Sequence, residues 1–158
     1  EDKPVLFIHG CGTRHYEALY AKYPRTSPKM QLLPYINDMP LYMSAADLII
    51  SRAGAMTLSE ISACGKPAIL IPSPYVAADH QRKNALYLQE RGAALVLEEA
   101  SLTGELLYQT VEALRRQPHR LSKMQKAASS LFAYDTKALF LAEVEALLAR
   151  KSLHPSKK

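Results

Sequence analysis

Ser51-Arg52-Ala53-Gly54-Ala55-Met56-Thr57-Leu58-Ser59-Glu60, with Asp47-Leu48-Ile49-Ile50 before it and Gly65-Lys66-Pro67 after it, decides how this chain folds. The run ending in Leu48-Ile49-Ile50 is short, apolar and β-branched, the type a buried parallel strand uses. It enters a turn of small residues, Ala53-Gly54-Ala55, where backbone amides can approach a ligand with no Cβ in the way. Thr57 then reads as an N-cap, and Leu58, Ile61 and Ser62 open a 3.6-residue pattern that Gly65 ends. A strand, a tight turn and a helix N-terminus together offer unpaired N–H groups and a positive dipole end to an anion, usually a phosphate. Glu60 falls in or near the first helical turn. Its carboxylate has two readings: it complements the helix dipole, or it accepts from ribose hydroxyls.

The same alternation extends outward on both sides. Towards the N-terminus, residues 5–8 read as a buried strand, followed by a Gly10-Cys11-Gly12-Thr13 turn. That turn begins a dinucleotide fingerprint but has His15 where the third glycine belongs, so a plain strand-to-helix turn is the better reading. A helix over 14–23 stops at Pro24, residues 25–29 form a loop, and 30–36 read as a strand with Pro34 near its end. Asn37 or Asp38 caps a short helix over 41–46, with Pro40 in its first turn. Towards the C-terminus, 67–72 is a strand, 73–78 a proline-rich loop, and Asp79 caps a helix to Arg91 that Gly92 closes. A strand over 94–97 follows. Three amphipathic helices come next, with stripes at Leu106/Leu107/Val111/Leu114, Leu121/Met124/Ala128/Leu131 and Leu139/Val144/Leu147/Leu148. Strands alternating with helices predict an α/β fold: a Rossmann-like parallel sheet flanked by helices, with a ligand site beyond the strands' carboxyl ends.

Composition bounds the alternatives. The 158 residues fit one domain with a real core, and 48% hydrophobic with 22% charged residues is ordinary for a globular chain. No apolar run approaches the ~20 residues of a membrane span. Cys11 and Cys64 make neither a disulfide framework nor a metal cluster, which points to a reducing compartment. The net charge of +5 lies partly in residues 151–158, which read as an unstructured tail. Elsewhere the basic residues are dispersed and not interleaved with aromatics, which argues against a nucleic-acid partner.

Three segments follow strand ends and gather on one sheet edge: residues 36–39, 53–57 and 73–81. The first can present backbone groups to a base, the second amides to phosphates, and the third Asp79, His80 and Gln81 to a sugar. Singly, each is also explained as a capped or tight turn; jointly they are what a nucleotide site requires. The chain has no GxxxxGK[ST], HExxH, CxxC or GxSxG pattern, and no DxD pair for a metal-held diphosphate.

Ile36-Asn37-Asp38-Met39, Ala45-Ala46-Asp47, the Ser51-to-Glu60 stretch, Gly65-Lys66-Pro67-Ala68 and His80-Gln81-Arg82-Lys83-Asn84-Ala85 together resemble the MurG family. Those enzymes are GT-B glycosyltransferases that add N-acetylglucosamine to a lipid-linked muramoyl-pentapeptide in peptidoglycan synthesis. The likeness covers most of residues 5–150 and is to the C-terminal, donor-binding half. It implies UDP-N-acetylglucosamine as donor, no cofactor and no metal, and work at the inner face of the cell membrane. It implies the Ile36 backbone at the uracil edge and Met39 near the base. Ala55, Met56 and Thr57 would lie along the diphosphate and sugar, Glu60 on the ribose, and Arg52 would be a further substrate-binding residue. His80 and Gln81 would meet the sugar hydroxyls, His80 standing where many relatives carry Gln, and Asn84 would support that loop or the ligand. The family's half also opens with a further strand and a Gly-Gly-Ser-type loop that nothing before Val5 supplies. The lipid-linked acceptor belongs to an N-terminal domain outside this sequence, which carries the catalytic base. The expectation is therefore a fragment with no catalytic residue and no transferase activity of its own; if the absent strand is an inner one, the unpaired sheet edge favours a homodimer or strand exchange. Another UDP-sugar enzyme of the same architecture (a glycolipid synthase or a UDP-N-acetylglucosamine 2-epimerase) and a noncatalytic nucleotide-sugar module remain as rivals.

Overall fold

A computed structural model describes residues 5–23, 29–76, 79–132 and 136–152. The chain divides into two compact units, residues 1–45 and 46–158. In the first, strand β1 (Phe7–Gly10) leads through Gly12, at φ 80°, into helix α1 (Thr13–Lys22), and then come β2 (Met30–Leu33) and α2 (Met39–Ala45). β1 and β2 pair in parallel, Phe7 opposite Met30 and Gly10 opposite Leu33. The expected strand over 30–36 ends at Leu33, because Pro34 has no N–H to continue a ladder. β1 lies two residues later than the apolar run alone predicts. Asp38 caps α2, its Oδ1 accepting from the Leu41 N–H at 3.2 Å. The expected stop at Pro24, the loop over 25–28 and tail residues 153–158 lie outside the described residues, whereas Lys151 and Ser152 belong to the last helix.

The second unit holds β3 (Ile49–Ser51), α3 (Ala55–Cys64), β4 (Ala68–Leu70), α4 (His80–Glu90), β5 (Ala94–Val96), a 3₁₀ turn (Glu99–Ser101), α5 (Gly104–Arg115), α6 (Pro118–Ser130) and α7 (Thr136–Ser152). Its three strands form one parallel sheet in the order β3-β4-β5. Every residue of the central β4 is fully buried, as a strand covered on both faces must be. Ile69 packs with Val111, Leu114 and Met124 of α5 and α6, and Leu48, Leu95, Leu107 and Leu121 close around them. Ala68 and Leu70 point to the opposite face, since successive strand residues alternate. Leu58 and Ile61 of α3 and Ala85 and Leu88 of α4 are buried as well.

Candidate functional site

The strand register determines what meets at the sheet's carboxyl edge. Ser51, Leu70 and Val96 stand level across β3, β4 and β5. The ladder runs one step further, with the Ile71 N–H donating to the Ser51 carbonyl and the Leu97 N–H to the Leu70 carbonyl, both at 2.9 Å. Everything following those residues therefore emerges on one side.

Behind β3, helix α3 starts earlier than the sequence implies. Gly54, not Thr57, is the N-cap, with φ −67° and ψ 146°, and Thr57 is already the third helical residue. With glycine as the cap, no side-chain oxygen closes the helix end. The Gly54 carbonyl accepts from the Leu58 N–H at 3.0 Å, the first bond of the helix. The amides of Ala55, Met56 and Thr57 are thus helix-end donors without a capping side chain, and Ala55 and Met56 are exposed. No acidic residue occupies the first turn. Glu60 is the sixth helical residue, in the second turn, where dipole compensation is weaker. It is exposed and lies one turn on from Met56, so these two share a face. At its other end α3 closes on Gly65 at φ 58°, with the Gly65 N–H donating to Ser62 and the Lys66 N–H to Ile61, both at 3.1 Å.

Arg52 leaves the end of β3 and turns across the sheet edge. Its guanidinium donates to the Ile71 carbonyl at 3.3 Å and pairs with Glu99, just past β5. The loop after β4 is held by α4: Gln81 Oε1 accepts from the Ser73 N–H at 2.9 Å, which leaves its Nε2 for another partner. Asn84 Nδ2 donates to the Ala53 carbonyl at 3.1 Å, joining α4 to the turn before α3 and leaving Oδ1 available. Asp79 is the N-cap of α4 but makes no side-chain cap, and it holds φ 55°, the one non-glycine positive φ among the described residues. Such a backbone is sparsely populated, tolerated best by Asn and Asp, and clusters at ligand sites. Exposed His80 is the first residue of α4. Ala77 and Ala78 of the expected loop lie outside the described residues.

Arg52, Ala55, Met56, Thr57, Glu60, His80, Gln81 and Asn84 are therefore all carried by the elements that leave this one edge of the second unit. Ile36 and Met39 belong to the first unit. Half-buried Ile36 lies over Gly10, where a Cβ would come within 3.0 Å of its Cδ1, and Met39 opens α2 with 40% of its surface exposed. Sequence reasoning missed Glu98 and Glu99. A signal was present: both come within three residues of the end of β5, and parallel pairing brings the residues after each strand to the same edge.

The profile described as "Glycosyltransferase family 28 C-terminal domain" matches residues 1–140. The chain is 44% identical over 131 residues to the UDP-N-acetylglucosamine--N-acetylmuramyl-(pentapeptide) pyrophosphoryl-undecaprenol N-acetylglucosamine transferase of Acetivibrio thermocellus, covering 82% of this chain and 36% of that protein. The protein of the same description in Carboxydothermus hydrogenoformans is 41% identical over 148 residues, 94% of this chain and 40% of that one. The chain thus spans well under half the length of these relatives. Among solved structures, Acinetobacter baumannii MurG superposes with a TM-score of 0.81 at 32% identity, over 92% of this chain and 44% of that chain. The glycosyltransferase VinC, solved with dTDP, shares the fold at 18% identity and a TM-score of 0.65, over 91% of this chain and 42% of that chain. Among the described residues no helix is long and apolar enough to cross a membrane. A parallel-stranded unit with an uncapped helix end behind its first strand, and relatives above 40% identity over four fifths of the sequence, give one conclusion: the chain belongs to glycosyltransferase family 28, as a C-terminal domain of that family.

Proposed function

We propose that this chain is the donor-binding half of an inverting glycosyltransferase, which transfers N-acetylglucosamine from UDP-N-acetylglucosamine to undecaprenyl-diphospho-muramoyl-pentapeptide during peptidoglycan synthesis. The complete enzyme works at the cytoplasmic face of the membrane, and the lipid-linked acceptor belongs to the part of the enzyme outside these residues. The observation that carries the reading is the start of α3: three successive amides without a capping side chain, directly behind β3, with exposed Glu60 one turn further on. In the transfer the acceptor hydroxyl gives its proton to a base in the part of the enzyme outside these residues and attacks the anomeric carbon, and the bond from that carbon to the diphosphate oxygen breaks. Negative charge grows on the departing diphosphate, and preorganised helix-end amides stabilise charge of that kind. Glu60 accepts from the ribose hydroxyls, Gln81 and His80 meet the sugar, Asn84 steadies the turn at Ala53, and Arg52 borders the diphosphate from the end of β3. The Ile36 backbone and Met39 serve the uracil.

Calorimetric titration with UDP-N-acetylglucosamine, UDP-glucose and UDP tests this. The expected result is binding of the UDP species, tightest for the N-acetylated sugar, and weakened about tenfold in Glu60→Ala, the scale of one charged hydrogen-bonding group. A folded chain that binds no UDP species overturns the reading. A preference for UDP-glucose moves it to a glycolipid synthase. A second copy of the chain is a further proposed partner, through the open edge of β1.

A further inference from the structure

Within four residues at the start of α4, three side chains reach three different strand ends. Gln81 holds Ser73 after β4, Asn84 holds Ala53 after β3, and Arg82 Nε donates to Glu98 Oε1 at 2.9 Å after β5. Arg82 also has Asp79 beside it, Nη1 to Oδ2 at 4.0 Å. Arg82 is half exposed, as are its two acidic partners. Hydrogen bonding to Glu98 first, and then the charges of Glu98 and Asp79, raise the Arg82 pKa above its ordinary value, so the group is cationic throughout the working range. Next to this pair, Glu99 holds Arg52, so two adjacent carboxylates after β5 each fix an arginine from another element.

We infer that the Arg82–Glu98 pair positions the sugar end of the donor site by fixing where the first turn of α4 stands. The inference rests on the donor-binding reading above. Asp79 gives α4 no side-chain cap, and the backbone there is left-handed, so the helix start has no cap to locate it. Gln81 has its Oε1 committed to the Ser73 N–H, and its Nε2 faces a ligand correctly only if the turn stays in place. Asn84 anchors the turn from the β3 side and Arg82 anchors it from the β5 side. The amides proposed for the diphosphate and the Glu60 carboxylate proposed for the ribose sit on α3, and Arg52, at the end of β3, has its own partner in Glu99, so the Arg82–Glu98 pair bears on the sugar and not on the nucleotide. An exposed ion pair contributes little to folding. Affinity, by contrast, depends steeply on the placement of a few polar groups. The two roles therefore separate experimentally.

The test compares UDP with UDP-N-acetylglucosamine by calorimetry at fixed salt, in the parent chain, Arg82→Gln, Glu98→Gln and Arg82→Lys, with thermal unfolding of each. The expected outcome is a loss of about tenfold for UDP-N-acetylglucosamine in both glutamine variants, with UDP affinity and thermal midpoint unchanged. Arg82→Lys keeps the charge and recovers most of the sugar affinity. Equal losses for both ligands, no loss, a loss that follows a lowered midpoint, or a lysine variant no better than glutamine would each overturn the inference. A parent chain that binds neither ligand overturns the donor reading itself, and this inference with it. A parent chain that binds both, with variants that behave like it, overturns the positioning role alone.

Discussion

Gly65 shows how much one residue can carry. It ends α3 at φ 58°, where an L side chain is strained, and a Cβ there would stand 2.1 Å from Ser129 Oγ of α6 and 3.3 Å from Ser129 Cβ. Both the turn and the approach of α6 need a residue without a side chain. Gly65→Ala should lower stability by at least the ~1–2 kcal/mol of the left-handed backbone, which in a chain of this size is roughly 2–4 °C of thermal midpoint per kcal/mol. Adding Ser129→Ala removes the nearest atom but not the backbone strain, so the double variant should recover part of the loss. Full recovery in thermal unfolding would show that the backbone term is negligible; no recovery would show that the contact with Ser129 is. The closing role of Gly65 was legible because glycine after a helical pattern has one physical explanation. The opening of α3 was not: Thr57 is a better capping residue than Gly54, and only the observed turn shows that the helix has already begun two residues earlier.

At the scale of elements, α3 and α4 divide the work. Gly54 adopts an ordinary extended conformation, and a Cβ on it would find only Thr57 Oγ1 at 3.9 Å. Folding therefore does not require glycine at this position, unlike at Gly65. If its lack of a side chain serves the approach of a diphosphate to the α3 amides, Gly54→Val should leave the thermal midpoint near that of the parent and weaken UDP binding severalfold, about 1 kcal/mol in affinity. A Gly54→Val chain that binds UDP normally would separate the small-residue turn from ligand approach. The strands were readable from β-branched apolar runs, and their parallel pairing from the helices between them. Their ends were less readable, because Pro34 and the ladder partners set them and sequence periodicity does not. The ties from α4 to Ser73, Ala53 and Glu98 were invisible as pairs, since each joins residues 8 to 31 positions apart. Only the register of the sheet brings them together.

At the scale of the whole molecule, the first unit presents a strand edge through which the chain can assemble. Among the described residues β1 pairs with β2 alone, and all four of its residues are exposed, with Phe7 at 40% and Ile8 at 41% following Leu6 at 59%. A strand with one unpaired edge and exposed apolar side chains is a template for another strand, and natural edges are blunted by lysine or proline. No charged residue interrupts Val5-Leu6-Phe7-Ile8. A second copy offering the same strand satisfies that edge by a two-fold, self-complementary contact, the commonest way a chain associates with itself. Light scattering over a concentration series should therefore show a dimer that dissociates on dilution. Ile8→Lys should shift the chain to monomer at every concentration. Were the parent monomeric at the highest concentration, the edge would have to be covered in some other way. Were the Ile8→Lys chain still dimeric, the contact would lie elsewhere on the surface, and the exposed side chains of α7, Leu139, Phe140 and Leu148 among them, would be the next to test.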